Sequence, residues 1–194
     1  MRVFLEGIAL STQDPALATQ AAIRRSASRV AQAWRSDLLS GYGKDPASIL
    51  TPLRARSDEG LVAVRGLEFA SICRHHLLPF EGKVHVAYAP AGRITGLSRL
   101  GRLVDCLSRR LQLQETLTRQ IVDSVQRHLS PLGAICVVEA AHACMTARGG
   151  RKASSRIVTI SCTGVFRASA ARRREALAAL GLAGSRVRGA GGSG

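Results

Sequence analysis

Two short clusters hold the side chains best suited to chemistry: Cys73-Arg74-His75-His76 and His142-Ala143-Cys144. Thiolate and imidazole are the usual zinc ligands, and histidine is the side chain that carries protons near neutral pH. Cys73 and His76 are close enough in sequence to chelate one ion through a turn. Cys144 supplies a third ligand if the two segments end side by side. A Cys₂His set leaves one tetrahedral position open for a water, and the metal lowers that water's pKa toward neutrality. Taken singly, a cysteine is more often a small packing residue and a strand-end histidine an ordinary polar one. The pairing of the two clusters is what raises the metal reading to even terms with packing. Cys106, Cys136 and Cys162 fall on apolar stretches and read as packing. His85 alternates along a strand, and His128 sits near a helix end, where a partial positive charge is favoured.

The clusters need strands to position them. Residues 61–72 (LVAVRGLEFASI) are rich in β-branched and apolar types and predict a strand running into Cys73. Residues 82–89 alternate as a second strand, and 134–141 form a short apolar third ending at His142. Residues 156–167 predict a fourth. Between the second and third the period changes. Leu100, Leu103, Val104, Leu107 and Leu111 mark an amphipathic helix over 98–111, with Ser98 as its N-cap, and Leu117, Ile121, Val125 and Leu129 mark another over 114–129. A helix over 13–39 precedes this set. Residues 44–60 read as a loop with one helical turn, and 170–182 as a last helix. The order is helix, two strands, two helices, two strands, helix. It predicts an α+β fold with an antiparallel sheet. The domain reading is a helical extension and linker over 1–60, a catalytic domain over 61–182, and a Gly-rich, basic, disordered tail over 183–194.

Composition narrows the class. The chain is 46% hydrophobic and only 4% aromatic, so aliphatic side chains must fill the core. No apolar run is long enough to span a bilayer, and Glu6 interrupts the apolar N-terminus, against a secretory signal. Five cysteines, an odd number, suit a reducing cytoplasm. The net charge of +15 divides as +2 over 1–60, +8 over 61–166 and +5 over 167–194. The middle excess surrounds the two clusters and favours an anionic partner, a phosphorylated small molecule or nucleic acid. Scarce aromatics and the lack of a groove-reading motif count against nucleic acid.

Residues 69–167 resemble GTP cyclohydrolase I. The resemblance is carried by CRHHLLPFEGKVHVAYAP, GLSRLGRLVDCLSRRLQLQETLTRQI, EAAHACMTARG and GVFR, in order, and more weakly by LLSGYGKDP. It implies the T-fold, an antiparallel sheet bracketing two helices, and a ring-shaped homodecamer with active sites at subunit junctions. It implies zinc held by Cys73, His76 and Cys144, with His75 and His142 as the acid/base pair. By the same resemblance Gln114 and Glu115 meet the guanine edge, Ser98 the ribose, and Arg99, Arg102 and Arg148 the triphosphate. The implied reaction opens the guanine imidazole ring of GTP, releases formate and yields 7,8-dihydroneopterin triphosphate, with no redox cofactor. Without the resemblance, Gln114-Glu115 reads as a helix start whose acid complements the dipole, and the three arginines as solvated surface.

The chain departs from the family pattern at Arg74, where glutamate is usual, at Arg99 in place of lysine, at Gly66 in place of aspartate, and at Ser26-Ala27-Ser28-Arg29 in place of Thr-Pro-x-Arg. Arg74 motivates two alternatives: a relative acting on another purine nucleotide in a specialised pathway, and a catalytically inactive binding subunit.

Overall fold

The computed structural model describes residues 3, 6–7, 19–54, 60–148, 152 and 154–182. Helix α1, Gln20–Ala33, starts at Thr19, whose hydroxyl accepts from the Ala22 N–H. A π-helical turn, Trp34–Leu38, and a 3₁₀ turn, Ser40–Gly43, continue it. Residues 13–18 of the expected first helix, and the tail 183–194, lie outside the described residues. The expected loop over 44–60 contains a short helix α2, Pro46–Ile49, capped by Asp45, and a two-residue strand β1, Leu53–Arg54.

The main sheet comes next. Strand β2 is Val62–Cys73 and β3 is Pro79–Ala89. A short strand β4, Arg93–Ile94, pairs with β1. Helix α3 is Leu97–Ser108, β5 is Leu111–Gln112, and α4 is Gln114–Leu129. Strand β6, Gly133–His142, leads into a short helix α5, Ala143–Thr146. Strand β7 is Ile157–Cys162, followed by α6, Gly164–Ala168, and α7, Ala170–Ala179. The five-stranded sheet has the order β5-β2-β3-β6-β7. Its β2–β3, β3–β6 and β6–β7 pairs are antiparallel, and only the two residues of β5 run parallel to β2. This is the predicted α+β arrangement, an antiparallel sheet with two helices inserted between its strands.

Three expectations from the sequence are corrected. Ser98 is not the N-cap of α3. Gly96 holds that place, and its carbonyl accepts from the Arg99 N–H. The strand expected over 156–167 stops at Cys162. Gly164 turns the chain at φ 53°, where a Cβ would run into the Leu132 carbonyl, and the following apolar residues form α6. The helix expected over 98–111 ends at Ser108, and Leu111 instead opens β5 beside Ile72 of β2, while β2 carries a bulge between Val64 and Leu67 where Gly66 takes φ 75°.

Both inserted helices pack on one face of the sheet. Leu100, Leu103, Val104 and Leu107 of α3 and Leu117, Ile121, Val122 and Val125 of α4 meet Phe69, Val84, Val86, Tyr88, Cys136 and Val138. The opposite face is covered in part by α6 and α7, through Phe166, Ala176 and Leu180 against Ala87, Ile135 and Val137. Ile121 is fully buried between α4 and the sheet. Ile121→Ala is expected to lower unfolding free energy by about 2–5 kcal/mol, read from the shift of a denaturant midpoint. A loss below 1 kcal/mol would mean that α4 does not seal this core. No helix among the described residues is long and apolar enough to cross a membrane.

Candidate active site

The turn after β2 is closed by three backbone bonds. The Cys73 N–H donates to Leu78 O at 2.8 Å, the Leu77 N–H to Cys73 O at 2.8 Å, and the Arg74 N–H to Gln112 O on β5 at 2.9 Å. Leu77 sits in the left-handed region, φ 54°, an uncommon conformation for a side-chain-bearing residue, and it reverses the chain into β3. The turn leaves Cys73 buried beneath it and Arg74, His75 and His76 exposed. Cys73 Sγ and His76 Nδ1 stand 3.8 Å apart. Two ligands of one tetrahedral zinc, bonded at about 2.3 Å and 2.1 Å, would stand about 3.6 Å apart. The pair therefore has the span that one zinc requires.

Strand β6 delivers the second cluster to the same end of the sheet. His142 pairs in register with Phe80, which pairs in turn with Ser71 of β2. The His142 ring stacks on the Phe80 ring, centroids 4.5 Å apart and planes 12° from parallel, and Phe80 meets Phe69 edge-on at 5.7 Å. Cys144 follows in the first turn of α5 and is half-buried. Among the described residues no group of three or more His, Cys, Asp or Glu side chains is placed to hold a metal ion.

The start of α4 reaches this place because β5 pairs beside Cys73 just before it. Gln114, the first residue of α4, is buried. Its amide nitrogen donates to Val138 O at 3.0 Å, Ile157 O at 2.9 Å and Thr159 Oγ1 at 3.1 Å, and its oxygen lies 2.8 Å from His142 Nε2. Glu115 is exposed beside it. Burial holds His142 below the usual imidazole range, and the Glu115 carboxylate partly offsets this.

A family match now accompanies the geometry. The sequence model of GTP cyclohydrolase I matches residues 9–181. GTP cyclohydrolase 1 of Pelotomaculum thermopropionicum is 42% identical over 177 residues, covering 91% of this chain and 90% of that one. The Carboxydothermus hydrogenoformans enzyme of the same name is 40% identical over 182 residues, covering 93% and 91%. That of Streptococcus pyogenes serotype M49 is 45% identical over 150 residues, 77% of each. The chain belongs to the GTP cyclohydrolase I family.

Set against the roles that the family resemblance implies, the structure divides the named residues into two groups. Cys73, His75, His76, Gln114, Glu115, His142, Cys144 and Arg148 belong to one end of the sheet or to the segments leaving it. Ser98, Arg99 and Arg102 do not. Helix α3 ends near the site, where Arg110 O accepts from Ser71 Oγ, but begins beyond the far end of β3, where the Thr95 N–H donates to Tyr88 Oη. At 1.5 Å per residue, Ser98 lies about 15 Å up the helix from Ser108. Arg99 there donates to Ile49 O, while Ser98 and Arg102 are exposed.

The GTP cyclohydrolase I resemblance gives Gln114 to the guanine edge, whereas its carboxamide is committed to His142 and to β6 and β7. Phe80, which braces the His142 ring, carried no signal in the sequence, where it falls just before the second strand predicted over 82–89, whereas β3 begins at Pro79. Thr118 and Thr159, hydroxyl oxygens 2.6 Å apart beside Gln114, carried no signal at all. Cys106 and Cys136 are buried, in keeping with packing. A separate open cleft of about 840 Å³, lined in part by Glu68, Lys83, His85 and Glu139, contains none of the named site residues.

Proposed function

We propose that this chain is a zinc-dependent GTP cyclohydrolase I, which hydrolyses the guanine imidazole ring of GTP, releases formate and forms 7,8-dihydroneopterin triphosphate. The observation that carries the reading is the convergence of the Cys73–His76 pair, His75 and the buried His142 at one sheet end, in a chain of this family. Cys73, His76 and Cys144 are the residues to hold the metal. Zinc, when bound, supplies the acidity that makes a water nucleophilic near neutral pH.

The remaining steps fall to side chains. Glu115 accepts two N–H groups from the guanine edge, which adenine does not offer in that pattern. His142 and His75 exchange protons with the ring nitrogens as a first water opens the imidazole to a formamide and a second cleaves that formamide to formate and a free amine. The freed amine then condenses with the carbonyl of the opened, rearranged ribose, expelling one water and closing the new ring, with Ser98 orienting the ribose. Arg99, Arg102 and Arg148 hold the triphosphate through guanidinium forks. The +8 excess over residues 61–166 supports an anionic substrate.

Because the start of α3 is remote from His142, Ser98, Arg99 and Arg102 serve the site of a neighbouring copy. The homodecamer implied by resemblance fits this need. Strand β7 forms an open sheet edge with Val158 and Ile160 exposed, a surface suited to another copy. Free cysteines throughout the described chain suit the cytoplasm.

The test is direct. Purified protein given GTP is expected to release formate and, after oxidation, a fluorescent pterin in equal amounts; neither product from zinc-loaded protein would refute the activity. Glu115→Gln is expected to lose about 1–3 kcal/mol in kcat/KM for GTP, because guanine donors are left unpaired. Unaltered kinetics would make Glu115 a helix-start residue only.

A further inference from the structure

Gln114 is 1% exposed, yet four polar atoms surround its carboxamide. Three are oxygens within 3.1 Å of its nitrogen: Val138 O, Ile157 O and Thr159 Oγ1. Two of these are carbonyls, which only accept. Turning the amide over would set its own oxygen against both, so the nitrogen end is fixed where it is. The carboxamide oxygen therefore faces His142 Nε2 at 2.8 Å. An amide oxygen donates nothing, so the hydrogen in that bond belongs to His142 Nε2. A neutral imidazole carries one N–H, and its lone pair must then lie on Nδ1. Among the described residues Nδ1 has no hydrogen-bond partner. The ring cannot readily turn to exchange its nitrogens, because it is stacked on Phe80, itself buried.

We infer that Gln114 is a positioning residue that locks His142 in the Nε2–H tautomer and leaves the ring lone pair on Nδ1. The lock is anchored in main chain. Through Val138 O and Ile157 O, Gln114 reads the backbone of β6 and β7 and ties the histidine to the start of α4. Thr118 reinforces it, donating to Gln114 O at 2.7 Å. The inference rests on the reading of His142 as an acid/base residue. It also reassigns Gln114: the side chain selects a histidine tautomer and does not select guanine.

The test uses full-length, zinc-loaded protein labelled with ¹⁵N-histidine, in solid-state NMR above pH 8, where imidazole is neutral. The His142 signals are assigned by their loss in His142→Gln. The wild type is expected to show an N–H type shift at Nε2 and a lone-pair shift at Nδ1. The opposite tautomer, or shifts averaged between the two, in the wild-type spectrum overturns the inference whatever Gln114→Leu shows. Gln114→Leu is expected to lose the single-tautomer signature and to lower kcat roughly 10–100-fold, with KM for GTP within threefold. A rise in KM at unchanged kcat would return Gln114 to the guanine edge and overturn the inference. The spectrum does not depend on turnover, so a protein without activity on GTP would refute the proposed function and leave the tautomer question answered separately.

Discussion

A Cys144→Ala variant is expected to emerge from dialysis against a chelator with almost no zinc, while the wild type retains one ion per chain. Cys73 and His76 already have the spacing of two ligands, but two ligands make a weak site. Removing a partner that merely orients a ligand costs about 10–100-fold in affinity. Removing one of three ligands should cost more, because a thiolate bond is lost outright and a further position opens to water. Elemental analysis of both proteins after the same dialysis decides the matter. Cys162→Ala, altered on β7, should keep its zinc and so controls for handling. Equal, stoichiometric zinc in wild type and Cys144→Ala would remove Cys144 from the site.

The second large effect is expected at His142. His142→Gln keeps an N–H donor for the Gln114 oxygen and a side chain of moderate size against Phe80, but it cannot carry a proton. Formate release is expected to fall about 10²–10⁴-fold, the usual contribution of a positioned acid/base group. Zinc content and assembly size should stay as in the wild type, because His142 is not among the proposed ligands. Activity within threefold of wild type would assign proton transfer to His75 alone and leave His142 a packing residue.

Much of this was legible in the residues themselves. Helix α4 occupies Gln114–Leu129, the span predicted from Leu117, Ile121, Val125 and Leu129, because a fully buried apolar stripe repeats at the helical period. The placement of both chemical clusters at strand ends followed from strands that terminate in Cys73 and His142. Strands β1, β4 and β5 were invisible, since two residues cannot display a period. The end of β7 was overrun because Val165 and Phe166 continue an apolar pattern, and only the backbone conformation of Gly164 shows that the chain has turned. Gln114 was the hardest to read. A glutamine at a helix start is ordinarily solvated, and nothing local reveals that β6 and β7 enclose it with two carbonyls that dictate which way its amide must face.

The distance between the start of α3 and His142 has a consequence for mixtures of damaged chains. If one copy contributes Arg102 and its neighbour His142 to each site, two lesions on different chains need not coincide. An Arg102→Ala chain still offers an intact histidine end, and a His142→Gln chain still offers an intact arginine end. Assembled separately, each population is inactive. Dissociated, mixed in equal parts and reassembled, about one site in four draws its two halves from the sound side of each chain, by the random pairing that a closed homo-oligomer permits. Two dead proteins would then complement one another in the tube, and the same arithmetic makes a single defective allele spread its damage across neighbours in a shared ring.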